Sequence, residues 1–362
     1  MRSWVEVSLG TIRANFRAVQ NVVGTSVDVM PVVKADAYRH GAVEVSRALE
    51  AEGARWLAVS NVEEGVALRE AGIHSRILVM ADFLPLERPA LAEYHLTPVI
   101  HSLADIAASE VPFHLKVDTG MSRLGASESP EVIAHAVASS GKLLEGLMTH
   151  FASSGNYESQ QTEDQIARFE NVLAALKSAG HRPRYVHSSS TIPVAYRRTA
   201  AWGNLVRPGH AIYGYVSPAR GNAPQASLHV RPALTWKATV LAVKTVETGA
   251  QIGYGGIHRA GRPMRIAVLA AGYADGIPHR LGNRGSVIAK GKLAPMVGAV
   301  SMDLTTIDIS DCPDLLSGDA VTLLGSEGGV SIDAQQIARI AGTISYSVLC
   351  GISARVKRVY VQ

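Results

Sequence analysis

Short apolar runs and amphipathic stretches alternate along the first 213 residues of the chain. Eight runs are almost continuously apolar, as is typical of strands buried on both faces: residues 27–33, 56–59, 76–80, 96–100, 113–117, 144–148, 185–187 and 205–213. Helical periodicity precedes and separates most of them, at residues 11–23, 43–51, 62–71, 103–108, 131–139 and 163–179. Strands that alternate with helices in this way predict an α/β fold, a TIM-type (β/α)8 barrel. Because the fourth connection is short, a doubly wound open sheet is the competing fold.

The pattern changes after the loop-like segment Gly-Asn-Ala-Pro at residues 221–224. Strand-like runs joined by glycine-rich turns follow, which predict a mainly antiparallel β domain: residues 234–246, 265–271, 286–288, 296–300, 305–309, 320–324 and 355–361. One short helix is predicted among them, at residues 333–341. We therefore expect a barrel domain over residues 1–225 and a C-terminal β domain over residues 226–362. The alternating start of the chain, about the first nine residues, is expected to pack on the second domain.

Composition argues against a membrane protein and a nucleic-acid-binding protein. Of the 362 residues, 47% are hydrophobic and 18% are charged, and the net charge is +4, which is typical of a compact soluble protein. Arginines are scattered, so we expect no nucleic-acid partner. No stretch predicts a signal peptide or a membrane span, so we expect a cytoplasmic protein. The two cysteines, Cys312 and Cys350, fit a reducing compartment and predict no metal site.

Lys34 stands where the first apolar run stops, and polar residues crowd the turn that follows it: Asp36, Tyr38, Arg39 and His40, and then Gly41. Burying an ammonium group is costly, so such a lysine is paired, reaches solvent or is held for chemistry. The plainer alternative is a lysine that marks the exit of the strand to water. The crowded turn favours the hypothesis that Lys34 is the amine that forms a Schiff base with a carbonyl cofactor.

Further polar residues lie at the ends of the other predicted barrel strands: Lys116, Asp118 and Arg123 after the fifth, His150 after the sixth, His187 with residues 188–191 after the seventh, and Arg207 with Gly209 on the eighth. Catalytic residues of a barrel gather at the C-terminal ends of its strands. The sequence therefore predicts an active site on that face of the barrel.

The stretch Val-Lys-Ala-Asp-Ala-Tyr-Arg-His-Gly at residues 33–41 resembles the pyridoxal-phosphate lysine motif of the alanine racemase family, Val-Lys-Ala-Asn-Ala-Tyr-Gly-His-Gly. Six further motifs follow in the family's order: Lys-Val-Asp-Thr-Gly-Met-Ser-Arg-Leu-Gly at 116–125, Thr-His-Phe-Ala at 149–152, Arg-Pro-Gly at 207–209, Gly-Tyr-Gly at 253–255, Gly-Tyr-Ala-Asp-Gly at 272–276 and Val-Ser-Met-Asp at 300–303. The resemblance covers nearly the whole chain and implies a barrel followed by a β domain.

The resemblance implies a homodimer that uses pyridoxal 5'-phosphate to interconvert L-alanine and D-alanine, and so supplies D-alanine for peptidoglycan. The cofactor provides the electron sink for the carbanion, and racemisation needs proton access to both of its faces. By resemblance, Lys34 serves one face and Tyr254 of the second subunit serves the other. Since tyrosine is a poor base at its usual pKa of about 10, His150 and Arg207 are expected in a network that assists it. Standing alone, Tyr254 reads as a turn residue.

The resemblance also implies binding roles. Arg207 faces the pyridine nitrogen, which stays unprotonated because arginine cannot accept a proton. The groups expected to hold the cofactor phosphate are Tyr38, Thr191, Gly209, the backbone N–H of His210, and Tyr346. The residues expected around the substrate are Arg123, Met302 and Asp303, the last two from the second subunit, with Tyr273 lining the entrance. Lys116 matches a lysine that is often carbamylated and then holds the arginine.

Plainer alternatives stay open at three of these places. Arg207 is compatible with an ordinary ion pair at the barrel mouth, and Lys116 with a surface ion pair to Asp118. The serine run in residues 188–191 is compatible with a polar turn.

Several residues depart from the family's usual pattern: Asp36, Arg39, Ser190, Thr191, His210, His279, Ala299, Ser301 and Ser347. They bear on cofactor affinity and entrance specificity more than on the reaction class, and Tyr346 with Met302 favours a small substrate side chain. Three other functions remain open: a broader racemase that also accepts serine, a barrel-type amino-acid decarboxylase, and a non-catalytic pyridoxal-phosphate carrier. The motifs at residues 116–123 and around Tyr254 favour a racemase over a decarboxylase, and the full β domain argues against a carrier.

Overall fold

Residues 1–81 and 84–362 are described by the computed structural model of this chain. In chain order, their strands are β1 Ser3–Ser8, β2 Asp28–Val29, β3 Trp56–Val59, β4 Arg76–Val79, β5 Leu96–Ile100, β6 Phe113–Lys116, β7 Leu144–Met148, β8 Tyr185–His187, β9 Leu205–Val206, β10 Leu234–Val246, β11 Gln251–Ile252, β12 His258–Arg259, β13 Met264–Leu269, β14 Ser286–Ala289, β15 Lys292–Pro295, β16 Thr305–Asp308, β17 Ala320–Glu327, β18 Val330–Ile332 and β19 Lys357–Val361. The helices are α1 Leu9–Val23, α2 Lys34–Arg39, α3 Ala42–Ala51, α4 Val62–Glu70, α5 Arg88–Glu93, α6 Pro130–Ser140, α7 Gln161–Ser178, α8 Thr191–Ala195, α9 Ala334–Ala341 and α10 Ser345–Cys350.

The chain forms two compact units. The barrel unit comprises Thr11–Ala37 and Ala42–Arg231. The sheet unit comprises Met1–Gly10, Tyr38–Gly41 and Pro232–Gln362.

Eight parallel strands close the barrel unit. Strands β3 to β8 pair in chain order, and β2 pairs in parallel with β9. A parallel bridge between Val32 and Ala58 joins the continuation of β2 to β3. At the other junction, the backbone N–H of Arg207 donates to the carbonyl of Ser189 at 2.8 Å. The predicted (β/α)8 barrel is confirmed, and the open sheet is excluded because its two edges are joined.

The barrel strands are continuously apolar because they are covered on both faces. Every residue of β3 and β5 is buried. On the outside, α6 and α7 contribute Ile133, Val137 and Phe169 to a core cluster with the strands. Burial on both faces therefore explains why the eight apolar runs lack strict alternation.

Two predicted elements of the barrel unit are shorter than expected. The run at residues 205–213 is a strand only over Leu205–Val206, since Pro208 has no N–H for a strand ladder and the chain then turns, with Ile212 donating to the carbonyl of Gly209 at 2.9 Å. The predicted helix at residues 103–108 is a 3-10 turn, Leu103–Asp105. Short apolar segments are ambiguous in this way because periodicity needs length.

The sheet unit is built around the long strand β10, which pairs antiparallel with β1, β13 and β17. The main sheet has nine strands, with the central order β15-β14-β17-β10-β1-β19. Its pairs are antiparallel apart from β1 with β19. Alternate residues of β1 are buried, which explains the alternating pattern at the start of the chain.

The prediction of one helix in the second domain was wrong. Besides α9, capped by the Asp333 side chain, the sheet unit contains α10. Its six residues are too few to show helical periodicity. The predicted strand at residues 296–300 is also wrong, since only Met296 forms an isolated bridge there, to Ile307. Among the described residues, no helix has the length and apolarity needed to cross a bilayer.

Candidate active site

Lys34 begins a left-handed helical turn, a conformation that the sequence did not predict. Residues 35 to 39 of α2 all have positive φ, between 53° and 67°, and Ala37 donates to the carbonyl of Val33 at 2.8 Å. Left-handed helix costs an L-residue roughly 1–2 kcal/mol, and this turn contains no glycine. Neighbouring contacts must therefore hold it, as is common where strain serves a functional site.

Hydrogen bonds on both sides fix the turn and the strand that leads into it. The Glu64 carboxylate accepts from the backbone N–H of Ala35 at 2.6 Å and of Ser60 at 2.7 Å. Asp36, which replaces the usual asparagine, accepts from the N–H of Ala42 at 2.7 Å. The Tyr213 hydroxyl donates to the carbonyl of Val32 at 2.9 Å. The Lys34 backbone thus leaves the first barrel strand in one defined direction.

The later part of the turn belongs to the sheet unit and lies against α10. The Tyr38 and Tyr346 rings are 6.0 Å apart, so two predicted phosphate ligands are neighbours, and burial raises the pKa of Tyr38. Arg39 stands at a position where glycine is usual, and its φ of 67° is unfavourable for a residue with a side chain. Contacts of Arg39 offset this conformational cost. Its Nε donates to the carbonyl of Cys350 at 3.4 Å, and its own carbonyl accepts from Arg358 at 3.1 Å.

Arg207 is buried and makes hydrogen bonds without a carboxylate partner. It donates to the carbonyl of Thr149 at 2.7 Å, to the carbonyl of Ser188 at 3.3 Å and to Nδ1 of His187 at 2.6 Å. Among the described residues, no carboxylate oxygen lies within 4.0 Å of an Arg207 guanidinium nitrogen, the distance expected for an ion pair. The plainer alternative, a barrel-mouth ion pair, is therefore wrong.

Lys116 is also buried, at the end of β6. Burial, together with Arg123 and Arg207, lowers its pKa to about 8. Asp118 opposes this shift, but one oxygen of its carboxylate accepts three backbone N–H groups, those of residues 120, 121 and 122. A surface ion pair between Lys116 and Asp118 is therefore wrong.

Asp118 instead organises the loop that carries Arg123. Asp118 and Ala126 pair across the loop through a backbone bond of 2.9 Å, and Gly125, with φ of 127°, leaves no room for a Cβ beside the Asp118 nitrogen. Arg123 lies exposed on this closed loop. Its guanidinium acts electrostatically on Lys116 and His150.

His150 lies among cations in the barrel unit. Burial, followed by the charges of Arg207, Lys116, Arg123 and Lys34, lowers its pKa to about 3. The imidazole is therefore neutral at physiological pH, so it can accept a hydrogen bond at one nitrogen and donate at the other.

The predicted phosphate-binding turn is assembled from two strand ends. The Thr191 hydroxyl accepts from the N–H of Ala211 at 3.1 Å. The carbonyls of Gly209 and His210 accept from Ile212 at 2.9 Å and from Tyr213 at 3.2 Å. Thr191 thus lies against the turn that contains Gly209 and His210.

The remaining predicted site residues lie in the sheet unit, and three of them are exposed. Tyr254 is 77% exposed, Met302 is 54% exposed and Tyr273 is 44% exposed. Such large exposed side chains are unusual for a monomer when they lie together with other apolar groups. Glycines flank Tyr254, with φ of 74° at Gly253 and 68° at Gly255.

Two loops of the sheet unit hold Tyr273 beside Met302. The backbone of Tyr273 donates to Ser301 at 2.9 Å, and that of Ala274 donates to Met302 at 2.9 Å. A Cβ on Gly272 would overlap the carbonyl oxygens of both partners. This close approach gives a physical reason for the first glycine of the Gly-Tyr-Ala-Asp-Gly motif.

Asp303 is positioned by a pair that the sequence analysis did not single out. Arg355 donates to both carboxylate oxygens of buried Asp275, at 2.7 Å and 2.9 Å, and to Asp303 at 2.8 Å. Asp275 also accepts from the N–H of Gly272 at 2.8 Å. Asp275 lies in the Gly-Tyr-Ala-Asp-Gly motif at residues 272–276, and this was the sequence signal that could have identified the pair of Asp275 and Arg355.

Models of known families match almost the whole chain. The model described as alanine racemase, N-terminal domain, matches residues 7–218, and that of the C-terminal domain matches residues 233–360. The chain belongs to the alanine racemase family. This confirms the resemblance carried by the motifs and makes the protein an isomerase.

Individual relatives of the alanine racemase family agree along the full chain. This chain is 38% identical to the alanine racemase of Halothermothrix orenii, and the alignment covers 99% of this chain and 96% of the relative. The structure of the Bacillus anthracis alanine racemase with bound L-Ala-P superimposes with a TM-score of 0.92 at 32% identity, covering 100% of this chain and 95% of that one. The Bartonella henselae alanine racemase with covalently bound pyridoxal phosphate gives a TM-score of 0.87 at 25% identity, with 100% of both chains covered.

The Bartonella henselae relative carries covalently bound pyridoxal phosphate, and the charge of the barrel unit in this chain fits such a group. Four cations lower the pKa of His150, and one carboxylate, Asp118, acts on Lys116 in the opposite direction. Two of these cations, Lys116 and Arg207, are buried, and buried positive charge is costly unless an anion compensates it. The residues present therefore fit pyridoxal phosphate.

Acid is expected to destabilise the barrel through three histidines whose pKa values are lowered in the folded chain. Burial and nearby cations lower the pKa of His114 and His150 to about 3, and that of His187 well below 6.5. Below pH 6.5 the unfolded chain binds protons that the folded chain does not, so the free energy of unfolding falls as the pH falls. Each histidine contributes up to about 1.4 kcal/mol per pH unit.

Urea unfolding across this pH range measures the effect. His114→Gln should reduce the slope by about the share of one group, whereas His135→Gln, at an exposed site, should leave it unchanged. A free energy of unfolding that is constant below pH 6.5 would contradict the prediction.

Proposed function

We propose that this enzyme uses pyridoxal 5'-phosphate to interconvert L-alanine and D-alanine by a two-base mechanism. The observation that carries the proposal is the cluster of Lys34, Lys116, Arg123 and Arg207 around His150. This cluster lies at the C-terminal ends of the barrel strands, where barrel enzymes bind their substrates. The cofactor-bound and L-Ala-P-bound relatives support the same cofactor and substrate.

In this proposal Lys34 holds the cofactor carbonyl and exchanges a proton at its Nζ with one face of the substrate α-carbon. The cofactor supplies the electron sink for the carbanion. Arg207 would donate to the pyridine nitrogen without giving up its proton, so it would limit charge delocalisation into the ring and disfavour transamination. Tyr38, Thr191, Gly209, His210 and Tyr346 hold the phosphate.

Tyr254 supplies the second base, at its phenolic oxygen, from the other subunit of a homodimer. The exposure of Tyr254 and Met302 supports a role in a surface that a second copy covers. Met302 and Asp303 then border the substrate carboxylate together with Arg123, and Tyr273 lines the entrance. Tyr346 and Met302 beside the substrate favour a small side chain such as methyl.

The proposal extends to the place of the enzyme in the cell. We assign it to the cytoplasm, where D-alanine serves peptidoglycan synthesis, and we keep the domain division at residues 225/226. Family membership supports these assignments.

A chiral assay of alanine and serine with added pyridoxal phosphate tests the proposal. We expect D-alanine from L-alanine and the reverse, slower conversion of serine, and deuterium uptake at the α-carbon from heavy water. Release of carbon dioxide would indicate a decarboxylase instead. Cofactor binding without deuterium exchange would indicate a carrier.

Lys116 is expected to carry a carbamate. Carbamylation joins the amine nitrogen to the carbon of CO2 with loss of a proton, so it requires the neutral amine. At a pKa of about 8, roughly a tenth of the amine is neutral at pH 7, against fewer than about one in a thousand for an ordinary lysine. The product is an anion, which the charges of Arg123 and Arg207 attract, whereas the same charges repel the ammonium.

Carbon-13 NMR in labelled bicarbonate detects this group. The wild-type enzyme and the exposed-site control Lys142→Gln should show one carbamate resonance, which Lys116→Gln should lack. A wild-type spectrum without that resonance at saturating bicarbonate would overturn the assignment.

A further inference from the structure

A column of polar side chains runs through the barrel below Arg207. Arg207 contacts Nδ1 of His187 at 2.6 Å, and Nε2 of His187 contacts Nδ1 of His114 at 2.7 Å. On the far side of His114, Nε2 lies 3.9 Å from a carboxylate oxygen of Glu145. Arg76 binds both oxygens of that carboxylate, at 2.7 Å and 2.6 Å.

The column connects the two ends of the barrel. His187 ends β8, whereas Arg76 begins β4. Both histidines are fully buried. Trp56, the first residue of β3, stacks on the Arg76 guanidinium at 4.0 Å. Gly146 makes room for the His114 ring, since a Cβ there would lie 2.6 Å from its Nδ1.

Arg207, at one end of the column, determines the direction of the hydrogen bonds along it. A guanidinium only donates, so Nδ1 of His187 must accept. A neutral imidazole that accepts at Nδ1 carries its proton on Nε2, so His187 donates to Nδ1 of His114. His114 in turn carries its proton on Nε2, which points toward Glu145. Every N–H along the column therefore points away from Arg207 and toward the carboxylate.

This direction matters because Arg207 is buried without a carboxylate in contact. Burial lowers the pKa of Arg207 to about 9, so the fold opposes its charge. The carboxylate at the other end of the column favours the tautomers that let Arg207 donate. The separation of 3.9 Å is too long for a direct hydrogen bond, so any influence of Glu145 on His114 is electrostatic, and the charge of Arg76, which lowers the pKa of His114, opposes it.

We propose that Glu145 is a positioning residue whose charge supports the His114 and His187 tautomers that the donor Arg207 requires, and so helps to hold Arg207 in place. The consequence for catalysis rests on the proposed function, in which Arg207 faces the cofactor ring. The tautomer assignment itself does not depend on that function.

Glu145→Gln is the decisive variant because it keeps the side-chain size and removes the charge. Nitrogen-15 NMR of the histidine rings in the complete protein distinguishes protonated from unprotonated nitrogens. In the wild type we expect both His114 and His187 to be protonated on Nε2, assigned by loss of each signal in His114→Gln and His187→Gln. In Glu145→Gln the charge that favours a proton on Nε2 of His114 is gone, so we expect part of the His114 population to move its proton to Nδ1.

Two further variants separate charge from packing. Arg76→Gln keeps the Glu145 carboxylate, so the wild-type tautomers should persist. Glu52→Gln breaks an ion pair to Arg17 elsewhere in the barrel unit and should change neither the tautomers nor the kinetics. Circular dichroism checks that each variant is folded, and if Glu145→Gln does not fold, the wild-type and Arg76→Gln spectra still test the tautomers.

The kinetic readout is a split between kcat and KM. Glu145→Gln should lower kcat for alanine about tenfold while KM changes less than about threefold, because Arg207 contacts the cofactor and not the substrate. A wild-type His187 protonated on Nδ1, or Glu145→Gln with wild-type tautomers and kcat, would overturn the proposal. If the wild type fails to racemise alanine but shows the expected tautomers, the proposed function fails and the column assignment stands.

Discussion

Replacing Lys34 by alanine is expected to abolish racemisation, with a rate loss of about 10⁴-fold or more. The substitution removes both the amine that holds the cofactor and the base for one face of the substrate. The Lys34 backbone is held by contacts that do not involve its side chain, among them the bonds from Glu64 to Ala35 and Ser60. The variant should therefore fold while losing the yellow colour of covalently attached cofactor.

Absorbance spectra with added pyridoxal phosphate and a chiral assay measure the two losses separately. Lys142→Ala, which removes an exposed lysine of the same unit, should retain both properties. Near-normal turnover in Lys34→Ala would end the two-base proposal.

Tyr254→Phe is expected to lower the racemisation rate by about 10²- to 10⁴-fold, the usual contribution of a general base. The ring and its exposed position are kept, and only the phenolic oxygen is lost. Since each base serves one face, the deficit should fall on proton abstraction in one direction. Deuterium exchange from heavy water should therefore become unequal for L-alanine and D-alanine, and equal, unimpaired exchange would count against the role.

Mixing inactive variants tests whether Tyr254 acts across a dimer. A hybrid of Lys34→Ala and Tyr254→Phe subunits has one site with both bases intact. Random exchange makes about half of the dimers hybrid, so about a quarter of the wild-type activity should return. If both bases belong to one subunit, the mixture stays inactive.

The sequence predicted the features that depend on local pattern. Continuous apolar runs such as residues 96–100 indicated strands covered on both faces, and the structure closes them into the expected barrel. Short motifs matched those of the alanine racemase family in order along the chain, so they identified the family. Polar residues at strand ends indicated the catalytic face because the direction of parallel strands puts their C-terminal ends together.

Tertiary structure alone decided what depends on contacts between distant residues. The left-handed turn after Lys34 defies local preference and exists because Glu64 and Tyr213 hold its flanks. The pKa of Lys116 follows from burial beside two arginines, which no spacing along the chain expresses. His114 and Lys116 alternate with apolar residues in β6 and lie on the same face of that strand. This alternation of polar residues in an otherwise apolar strand was the local sequence signal for the column. Its link from Arg207 to Glu145 became visible only when the closed barrel brought the strands together, because hydrogen-bond direction is a property of neighbours in space.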